Sequence, residues 1–144
     1  MQRVVIDTNI YIDWLNEGRY EDIIFQREAV KHLSAVVLME LAGAFSVRDR
    51  RLIRDITLPF AKANRIVTPT VSIYEEAGDV LRRLQRLHGY SMPNAYGLVN
   101  DVLIALSACS IGASVITQNE HDFAAIRSAR PFKLVVKSLT SGES

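Results

Sequence analysis

Near the start of the chain lies Val4-Val5-Ile6-Asp7-Thr8-Asn9, a run of β-branched residues that ends at a carboxylate and two other polar side chains. Uninterrupted apolar runs of this kind are typical of strands buried in a parallel sheet. Asp7 ends the run, and aspartate is also a good cap for a helix that follows. Because ligands of open α/β sheets bind at the carboxyl ends of strands, the polar residues here are candidate site residues.

Further apolar runs alternate with helical segments along the rest of the sequence. Strands are predicted at residues 32–34, 65–67, 114–117 and 132–136. Helices are predicted at residues 10–16, 20–29, 36–45, 49–62, 98–111 and 119–128, and one more begins at the apparent capping box Ser72-Ile73-Tyr74-Glu75. This alternation predicts an α/β fold, a three-layer α/β/α sandwich around a central, mainly parallel sheet.

The length and composition are typical of one globular domain with no unusual charge. The chain has 144 residues, of which 49% are hydrophobic and 23% charged, and its formal net charge is +1. A strongly basic arm and an acidic tail are excluded, so a polyanionic partner must bind to a local patch. We expect a single domain over residues 1–138 and a flexible tail over residues 139–144.

The cysteine, the histidines and the apolar runs exclude several other classes of protein. One cysteine allows no intrachain disulfide, and three scattered histidines form no Cys/His zinc pattern. The apolar run before Asp7 is too short for a signal peptide, and no run approaches the ~20 residues of a membrane span. We therefore expect a cytoplasmic protein with no membrane partner.

Four acidic residues stand in apolar surroundings or follow predicted strands, whereas most others lie in mixed polar segments. They are Asp7, Glu40, Asp101 and Asp122. An ionised carboxylate is costly to bury unless it is paired or bound to a cation. Carboxylates gathered at one rim also repel one another, and an oxygen-only ligand set suits Mg²⁺ or Mn²⁺. Such a cluster can activate water for in-line attack on a phosphodiester.

Each of these residues also has a purely structural interpretation. Asp7 can cap the next helix, and Asp101 can interact with the helix dipole from the first turn of its helix. Glu40 can lie on a solvated helix face, and Asn119 with Asp122 has the spacing of a cap pair. The residue types alone leave these alternatives open, so the metal-site hypothesis depends on the four acids together.

Four short motifs follow one another along almost the whole chain. They are Val5-Ile6-Asp7-Thr8-Asn9, Leu38-Met39-Glu40-Leu41, Asn100-Asp101-Val102-Leu103-Ile104-Ala105, and Val115-Ile116-Thr117-Gln118-Asn119 followed by Asp122-Phe123. Each motif alone is weak, but their order and spacing together resemble those of PIN-domain ribonucleases, and specifically the VapC-type toxins of prokaryotic toxin–antitoxin pairs. The resemblance implies a compact α/β/α domain with a central parallel sheet.

The resemblance also implies an activity and a set of site residues. The activity is a Mg²⁺- or Mn²⁺-dependent endoribonuclease that hydrolyses RNA phosphodiester bonds with a metal-activated water and acts as a toxin. Asp7, Glu40 and Asp101 would be the acidic metal-binding and catalytic core. Family members carry a fourth carboxylate at the position of Asn119 or a few residues later, so Asp122 is the predicted fourth metal-binding and catalytic acid. The supporting polar residues would be Thr8, Asn9, Thr117 and Asn119.

Three partners are implied as well: an RNA substrate, a cognate antitoxin protein and a second copy of the chain in a homodimer. Whether the site holds one ion or two stays open. The candidate RNA contacts are two arginine clusters, Arg48, Arg50 and Arg51, and Arg82, Arg83 and Arg86. Such arginines can also form solvated helix faces that bind nothing. Candidates for stacking on bases are Tyr90, Met92 and Tyr96, with loop anchoring or dimer packing as the alternative.

Other functions explain parts of the pattern. A housekeeping RNA-processing nuclease of the same fold, or a catalytically inactive metal- or RNA-binding module, would carry the same motifs. A phospho-acceptor signalling domain normally has a pair of acids near its first strand, and a haloacid-type phosphatase has a second aspartate where this chain has Asn9. The sequence therefore favours a nuclease over a phosphate-transfer domain.

Overall fold

Five strands form one sheet within residues 1–137, the part of the chain that the structure, a computed structural model, describes. The strands are β1 (Gln2–Ile6), β2 (Ala29–Ser34), β3 (Ile66–Val67), β4 (Ala113–Thr117) and β5 (Lys133–Val136). Their order across the sheet is β3-β2-β1-β4-β5, and every neighbouring pair is parallel. The tail predicted at residues 139–144 lies outside the described residues.

Helices connect the strands and cover the sheet on both faces. They are α1 (Thr8–Glu17), α2 (Glu21–Ile24), α3 (Ala35–Ala44), α4 (Arg50–Lys62), α5 (Val71–His88), α6 (Tyr96–Ser110) and α7 (Glu120–Ala129). Right-handed crossovers place α1 to α4 on one face and α5 to α7 on the other. The predicted three-layer α/β/α sandwich is therefore confirmed. None of the helices within the described residues combines the length and the apolar character that crossing a bilayer requires.

The central strands of the sheet are buried on both faces. In β1, Val4, Val5 and Ile6 are all buried, although successive side chains of a strand point to opposite faces. Burial of consecutive residues requires a helical layer on each side of the sheet. The apolar run before Asp7 thus encodes the central strand of the fold.

The position of β1 in the middle of the sheet determines where polar groups can gather. The chain passes from β1 to β2 and β3 on one side and then returns to β4 on the other side. Connections that diverge in this way leave a crevice at the carboxyl ends of the two central strands. Those ends are also joined directly, because the backbone N–H of Asp7 donates to the carbonyl of Ile116 over 2.9 Å.

The helix predicted at residues 20–29 is wrong for most of its length. Helix α2 covers Glu21–Ile24, and Tyr20 before it has a left-handed backbone conformation with a φ of 65°. From Ala29 onward the chain is strand β2, because residues 29–32 pair in register with residues 2–5 of β1. Pairing with a distant strand outweighs the local helical preference of this segment.

The capping box predicted at residues 72–75 is also wrong. Helix α5 begins at Val71, and its N-cap is Thr70, whose side chain accepts a hydrogen bond from the Ile73 N–H at 3.2 Å. Ser72 lies within the first turn and does not cap it. The Thr70 side chain thus accepts from one of the backbone N–H groups of the first turn that have no partner within the helix.

Thr70→Ala should lower the free energy of unfolding by about 1 kcal/mol, because the first turn of α5 then lacks its side-chain acceptor. Ser72→Ala is the matched control in the same turn, and it should change that free energy by less than about 0.5 kcal/mol. Urea denaturation of the two variants checks both values. A larger loss for Ser72→Ala than for Thr70→Ala would contradict this cap assignment.

Helix α6 begins at Tyr96, two residues before its predicted start at residue 98, and its first turn contains no acidic residue. Asp101 therefore lies in the second turn, and the helix-dipole interpretation of its charge is wrong because the dipole effect falls off within the first turn. The Asp101 side chain is nevertheless buried, at 8% exposure.

Candidate active site

Asp7 lies at the carboxyl end of β1 and is only 4% exposed. It caps α1, since its Oδ1 accepts a hydrogen bond from the Thr8 N–H at 2.8 Å. Its Oδ2 accepts a second one from Thr117 Oγ1 at 2.7 Å. Burial raises the pKa of Asp7 from 3.8 to about 6, with a contribution from the charge of Glu40, against the opposing effect of the hydrogen bonds from Thr117 and Thr8. The capping interpretation of Asp7 is therefore confirmed, and its role as a metal ligand stays a prediction.

Thr117, the last residue of β4, joins the two central strands through one fully buried hydroxyl. Besides donating to Asp7, Thr117 Oγ1 accepts from the Asn119 N–H at 2.9 Å and from Asn9 Nδ2 at 3.2 Å. The Asn9 Oδ1 in turn accepts from the Gln118 N–H at 3.3 Å. Residues from the ends of β1 and β4 are therefore held in one network at the crevice.

Glu40 reaches the same crevice from α3 and is half-buried. Its Oε1 accepts a hydrogen bond from Thr8 Oγ1 at 2.7 Å, and its Oε2 accepts one from Asn100 Nδ2 at 3.3 Å. These contacts link α3 to α1 and α6 at the edge of the sheet. Both carboxylate oxygens of Glu40 therefore bind protein side chains, which the interpretation of Glu40 as part of a solvated helix face does not explain.

Asp101 and Asp122 lie on either side of the Asn119 side chain. Asn119 Nδ2 donates to Asp101 Oδ2 and to Asp122 Oδ2, each over 3.1 Å. Its Oδ1 accepts from the Asp122 N–H at 3.3 Å, so the predicted cap pair at the start of α7 is present as well. The amide is thus both a helix cap and a bridge between two carboxylates.

The pKa of Asp101 is raised from 3.8 to about 9. Burial is the largest cause, and the charges of Asp7, Glu40 and Asp122 add to it, while the hydrogen bond from Asn119 acts in the opposite direction. This pattern means that the four predicted acids are close enough to repel one another. The structure therefore brings together the aspartate that follows β1 and acidic residues from α3, α6 and α7, and their roles as ligands stay predictions.

The side chains at the crevice have the chemistry that a hard divalent cation prefers. The nearby charged groups are carboxylates, and none of the four forms an ion pair with a basic side chain among residues 1–137. Within the same residues, no three acidic, histidine or cysteine side chains are already arranged as ligands of one ion. They are instead turned onto neighbouring hydroxyl and amide donors. Oxygen-only donors with uncompensated negative charge fit Mg²⁺ or Mn²⁺, which would remove their mutual repulsion.

The site contains two further residues, Asn100 and Tyr90, which the sequence did not indicate as members. Asn100 holds Glu40, and Tyr90 OH donates to Asp122 Oδ1 over 2.7 Å. The Tyr90 ring lies 6.4 Å, between centroids, from each of His88 and His121. Burial and then the hydrogen bond and charge of Asp122 raise the pKa of Tyr90 to about 12. Asn100 could have been suspected because it precedes Asp101, whereas no local pattern connects Tyr90 to Asp122.

None of the candidate RNA-contacting arginines takes part in the hydrogen bonds described above. Arg48, Arg50 and Arg51 are exposed around the start of α4. On α5, Arg82 pairs with Asp79 at 3.2 Å, and Arg83 Nη1 donates to the Ala129 carbonyl at 2.9 Å. The side chains of Arg82, Arg83 and Arg86 are all exposed. RNA contact by either cluster stays a prediction, as does base stacking by Tyr90, Met92 and Tyr96.

Solved structures with this fold come from several bacteria. VapBC2 from Rickettsia felis, bound to a DNA fragment from its promoter, is similar with a TM-score of 0.68 and 21% identity over 95% of this chain and 100% of that one. VapBC-1 from nontypeable Haemophilus influenzae gives a TM-score of 0.65 and 25% identity over 94% and 98% of the two chains. VapBC-5 from Mycobacterium tuberculosis, a member of the VapBC family of toxin–antitoxin systems, gives 0.58 and 23% over 95% and 100%.

The sequence comparisons agree with the motifs. No curated protein matches the chain closely enough to count as a relative. The family model of the PIN domain, in contrast, matches residues 4–128, a range that contains the four acids and the crevice between β1 and β4. This match confirms the resemblance indicated by the motifs, and the chain belongs to the PIN-domain family.

Proposed function

We propose that this protein is a divalent-metal-dependent endoribonuclease and the toxin of a toxin–antitoxin pair. The observation that carries the proposal is the convergence of Asp7, Glu40 and Asp101, from three different elements, at the crevice of a PIN-domain sheet. Asp7 and Asp101 are buried carboxylates whose pKa values are raised by burial and by neighbouring carboxylates, and they lack a basic partner among the described residues. Such groups are poor stabilising elements. Their presence is explained if they bind a cation during function.

Mg²⁺ or Mn²⁺ would be held by Asp7, Glu40 and Asp101, with Asp122 completing the acidic set. When bound, such an ion supplies an activated water and stabilises charge on the phosphodiester during hydrolysis. The protein contributes orientation: Thr117 and the backbone of Thr8 fix the two oxygens of Asp7. The hydrogen bonds to Glu40 likewise restrict the rotation of its carboxylate. Donors that orient metal ligands in this way tune both metal affinity and activity.

RNA as the substrate is supported by the exposed arginines just before and at the start of α4 and by those on α5. Phosphate contacts from arginine supply affinity without sequence specificity. The net charge of +1 means that such affinity must be local. We therefore propose that Arg48, Arg50, Arg51 and Arg86 are the first candidates for phosphate contacts, because Arg82 and Arg83 already have partners.

An antitoxin partner is supported by the similar structures, which are VapBC complexes, and by an apolar groove on this chain. The groove, of about 540 Å³, lies between α1, α2 and α4. Trp14 and Phe25 pack edge to face at one wall with 5.3 Å between ring centroids, yet Phe25 is 60% exposed. Exposed apolar surface of this kind marks interaction sites. We propose that the groove accepts an apolar segment of the antitoxin.

The activity is tested with purified protein and a structured RNA. Cleavage should occur with Mg²⁺ or Mn²⁺ and stop when EDTA removes the ion, because the carboxylates then have no cation to act through. The Asp7→Asn variant, purified in the same way, controls for contaminating nucleases and should not cleave. Equal cleavage by wild type and Asp7→Asn would contradict the site, and cleavage in EDTA would contradict metal dependence.

The toxin assignment needs a separate experiment. Expression of the wild-type protein should arrest growth, and Asp7→Asn should not. Co-expression of a short open reading frame from beside the gene should restore growth. RNA cleavage without growth arrest would favour the housekeeping nuclease, and Mn²⁺ binding without cleavage would favour an inactive module. The homodimer and the cytoplasmic location stay predictions, and light scattering of the purified protein tests the first.

A further inference from the structure

The side chain of Asn119 lies where two carboxylates of the site face each other. Its Nδ2 is 3.1 Å from Asp101 Oδ2 and 3.1 Å from Asp122 Oδ2. An amide nitrogen carries two hydrogens, so it can donate to both oxygens at once. A cation that bridged the same oxygens would need the space that this nitrogen fills.

Asn119 is held in this position from two other directions. Its Oδ1 accepts from the Asp122 N–H and caps α7, and its own N–H donates to the buried hydroxyl of Thr117. Rotating the side-chain amide away would uncap the helix and remove the donor to the buried Asp101 Oδ2, while the backbone N–H still anchors Asn119 to Thr117. The amide is therefore a built part of the site and not a side chain that an arriving ion easily displaces.

Asp122 is fixed from the opposite side. Tyr90, in the loop between α5 and α6, donates to Asp122 Oδ1 over 2.7 Å, while Asn119 donates to Oδ2. Both oxygens therefore have a partner, and among the described residues neither partner forms a hydrogen bond with Asp7 or Glu40. The charge of Asp122 acts on Asp101, but the hydrogen bonds that orient it come from the loop and from the amide.

We propose that the Asn119 amide takes the place of a second cation, so that this protein binds one divalent ion through Asp7, Glu40 and Asp101. In this arrangement Asp122 is a positioning residue: held by Tyr90, it fixes Asn119, which in turn orients Asp101. The inference rests on the proposed function in one respect, namely that an ion binds at all. It adds the stoichiometry and the division of roles among the acids.

The experiment measures bound Mn²⁺ by calorimetry and by electron paramagnetic resonance. Wild-type protein should bind one ion and give the spectrum of an isolated Mn²⁺. Asn119→Asp places a carboxylate between Asp101 and Asp122, and this variant should bind two ions. Its spectrum should show spin coupling, because paired metals lie about 3.5–4 Å apart. Gln118→Glu is the matched control: it adds the same charge at the next position, where Gln118 contacts Asp13, and it should still bind one ion.

Two variants test the positioning role without depending on the folding of Asn119→Asp. Tyr90→Phe keeps the ring and removes the hydroxyl, and it should weaken Mn²⁺ binding by about 10-fold while one ion still binds. Asp122→Asn should also still bind one ion. A wild type that binds two coupled ions, of which Asp122→Asn loses one, would overturn the inference.

The outcomes separate this inference from the proposed function. Two coupled ions in a wild-type protein that cleaves RNA would contradict the single-ion site and leave the nuclease assignment standing. A wild type that binds no Mn²⁺ and cleaves no RNA would contradict both. One ion in wild type together with two in Asn119→Asp supports the substitution of an amide for a cation.

Discussion

Replacing Asp101 with asparagine should stabilise the metal-free protein at pH 8 and reduce RNA cleavage by more than about 100-fold. The two effects have one cause, because the carboxylate that would bind the ion is buried beside other carboxylates. Asparagine keeps an oxygen that can accept the hydrogen bond from Asn119 Nδ2, so the local contacts survive the change. The loss of activity should exceed the roughly 10–100-fold loss that is typical when a residue hydrogen-bonded to a metal ligand is replaced.

The sign of the stability change follows from the pKa of Asp101, which rises from 3.8 to about 9 in the folded protein. A carboxyl group with a raised pKa holds its proton more tightly when the chain is folded. Its contribution to stability is therefore complete below pH 3.8 and is lost as the pH rises towards about 9. Asp7, whose pKa is about 6, adds a loss of the same sign over a narrower range.

Urea denaturation in EDTA at pH 5 and pH 8 measures this effect. The wild-type free energy of unfolding should fall between the two pH values, and Asp101→Asn should fall less and be more stable at pH 8 by about 1–4 kcal/mol. Asp79→Asn is the control, because Asp79 is 59% exposed and pairs with Arg82. It should change stability by less than about 0.5 kcal/mol. An Asp101→Asn variant that is less stable at pH 8 would contradict the electrostatic account.

Replacing Thr117 with valine should weaken Mn²⁺ binding by about 10–100-fold and lower the free energy of unfolding by about 1–3 kcal/mol. Valine has nearly the same shape as threonine but lacks the hydroxyl. Asp7 Oδ2 then loses a donor, and the Asn119 N–H loses its acceptor. The affinity falls because Asp7 can rotate away from the crevice, and stability falls because buried polar groups lose their partner.

Thr117→Ser is the matched control for this prediction. Serine keeps the hydroxyl and removes the methyl group, so it should retain most of the Mn²⁺ affinity while losing some packing energy. Calorimetric titration gives the affinities, and urea denaturation gives the stabilities. Equal loss of affinity in both variants would mean that packing of the methyl group, and not the hydroxyl, maintains the site.

Local patterns predicted the features that depend on near neighbours in sequence. Ser34 caps α3, because its side chain accepts from the Val36 N–H two residues ahead. Asp7 ends a buried strand, and it caps α1 because its side chain likewise accepts from a backbone N–H of the first turn, that of Thr8. The five-stranded parallel sheet could be predicted from the alternation of apolar runs with helical segments. Features of this kind need only the hydrogen-bonding groups of adjacent turns.

Distant pairing explains what sequence reasoning missed. No local pattern within residues 20–29 indicates that Ala29 pairs with Gln2. The local helical preference therefore predicts a helix there. The contact between Tyr90 and Asp122 spans 32 positions, and that between Glu40 and Asn100 spans 60. The four acids could be selected because their apolar surroundings are unusual. The amide between two of them depends on a side-chain rotamer that only the folded chain defines.

The hydrogen bond between Thr117 and Asp7 joins positions 110 residues apart. During synthesis, Asp7 leaves the ribosome long before β4 is made, so its Oδ2 then lacks the hydrogen bond from Thr117. Glu40 and Asp101 follow in turn, but Asn119 and Asp122 arrive only near the end of the chain. A growing or truncated polypeptide therefore carries the acids without their arrangement. The hydrogen-bonded arrangement of the crevice is therefore complete only after the residues of β4 and the start of α7 have been synthesised.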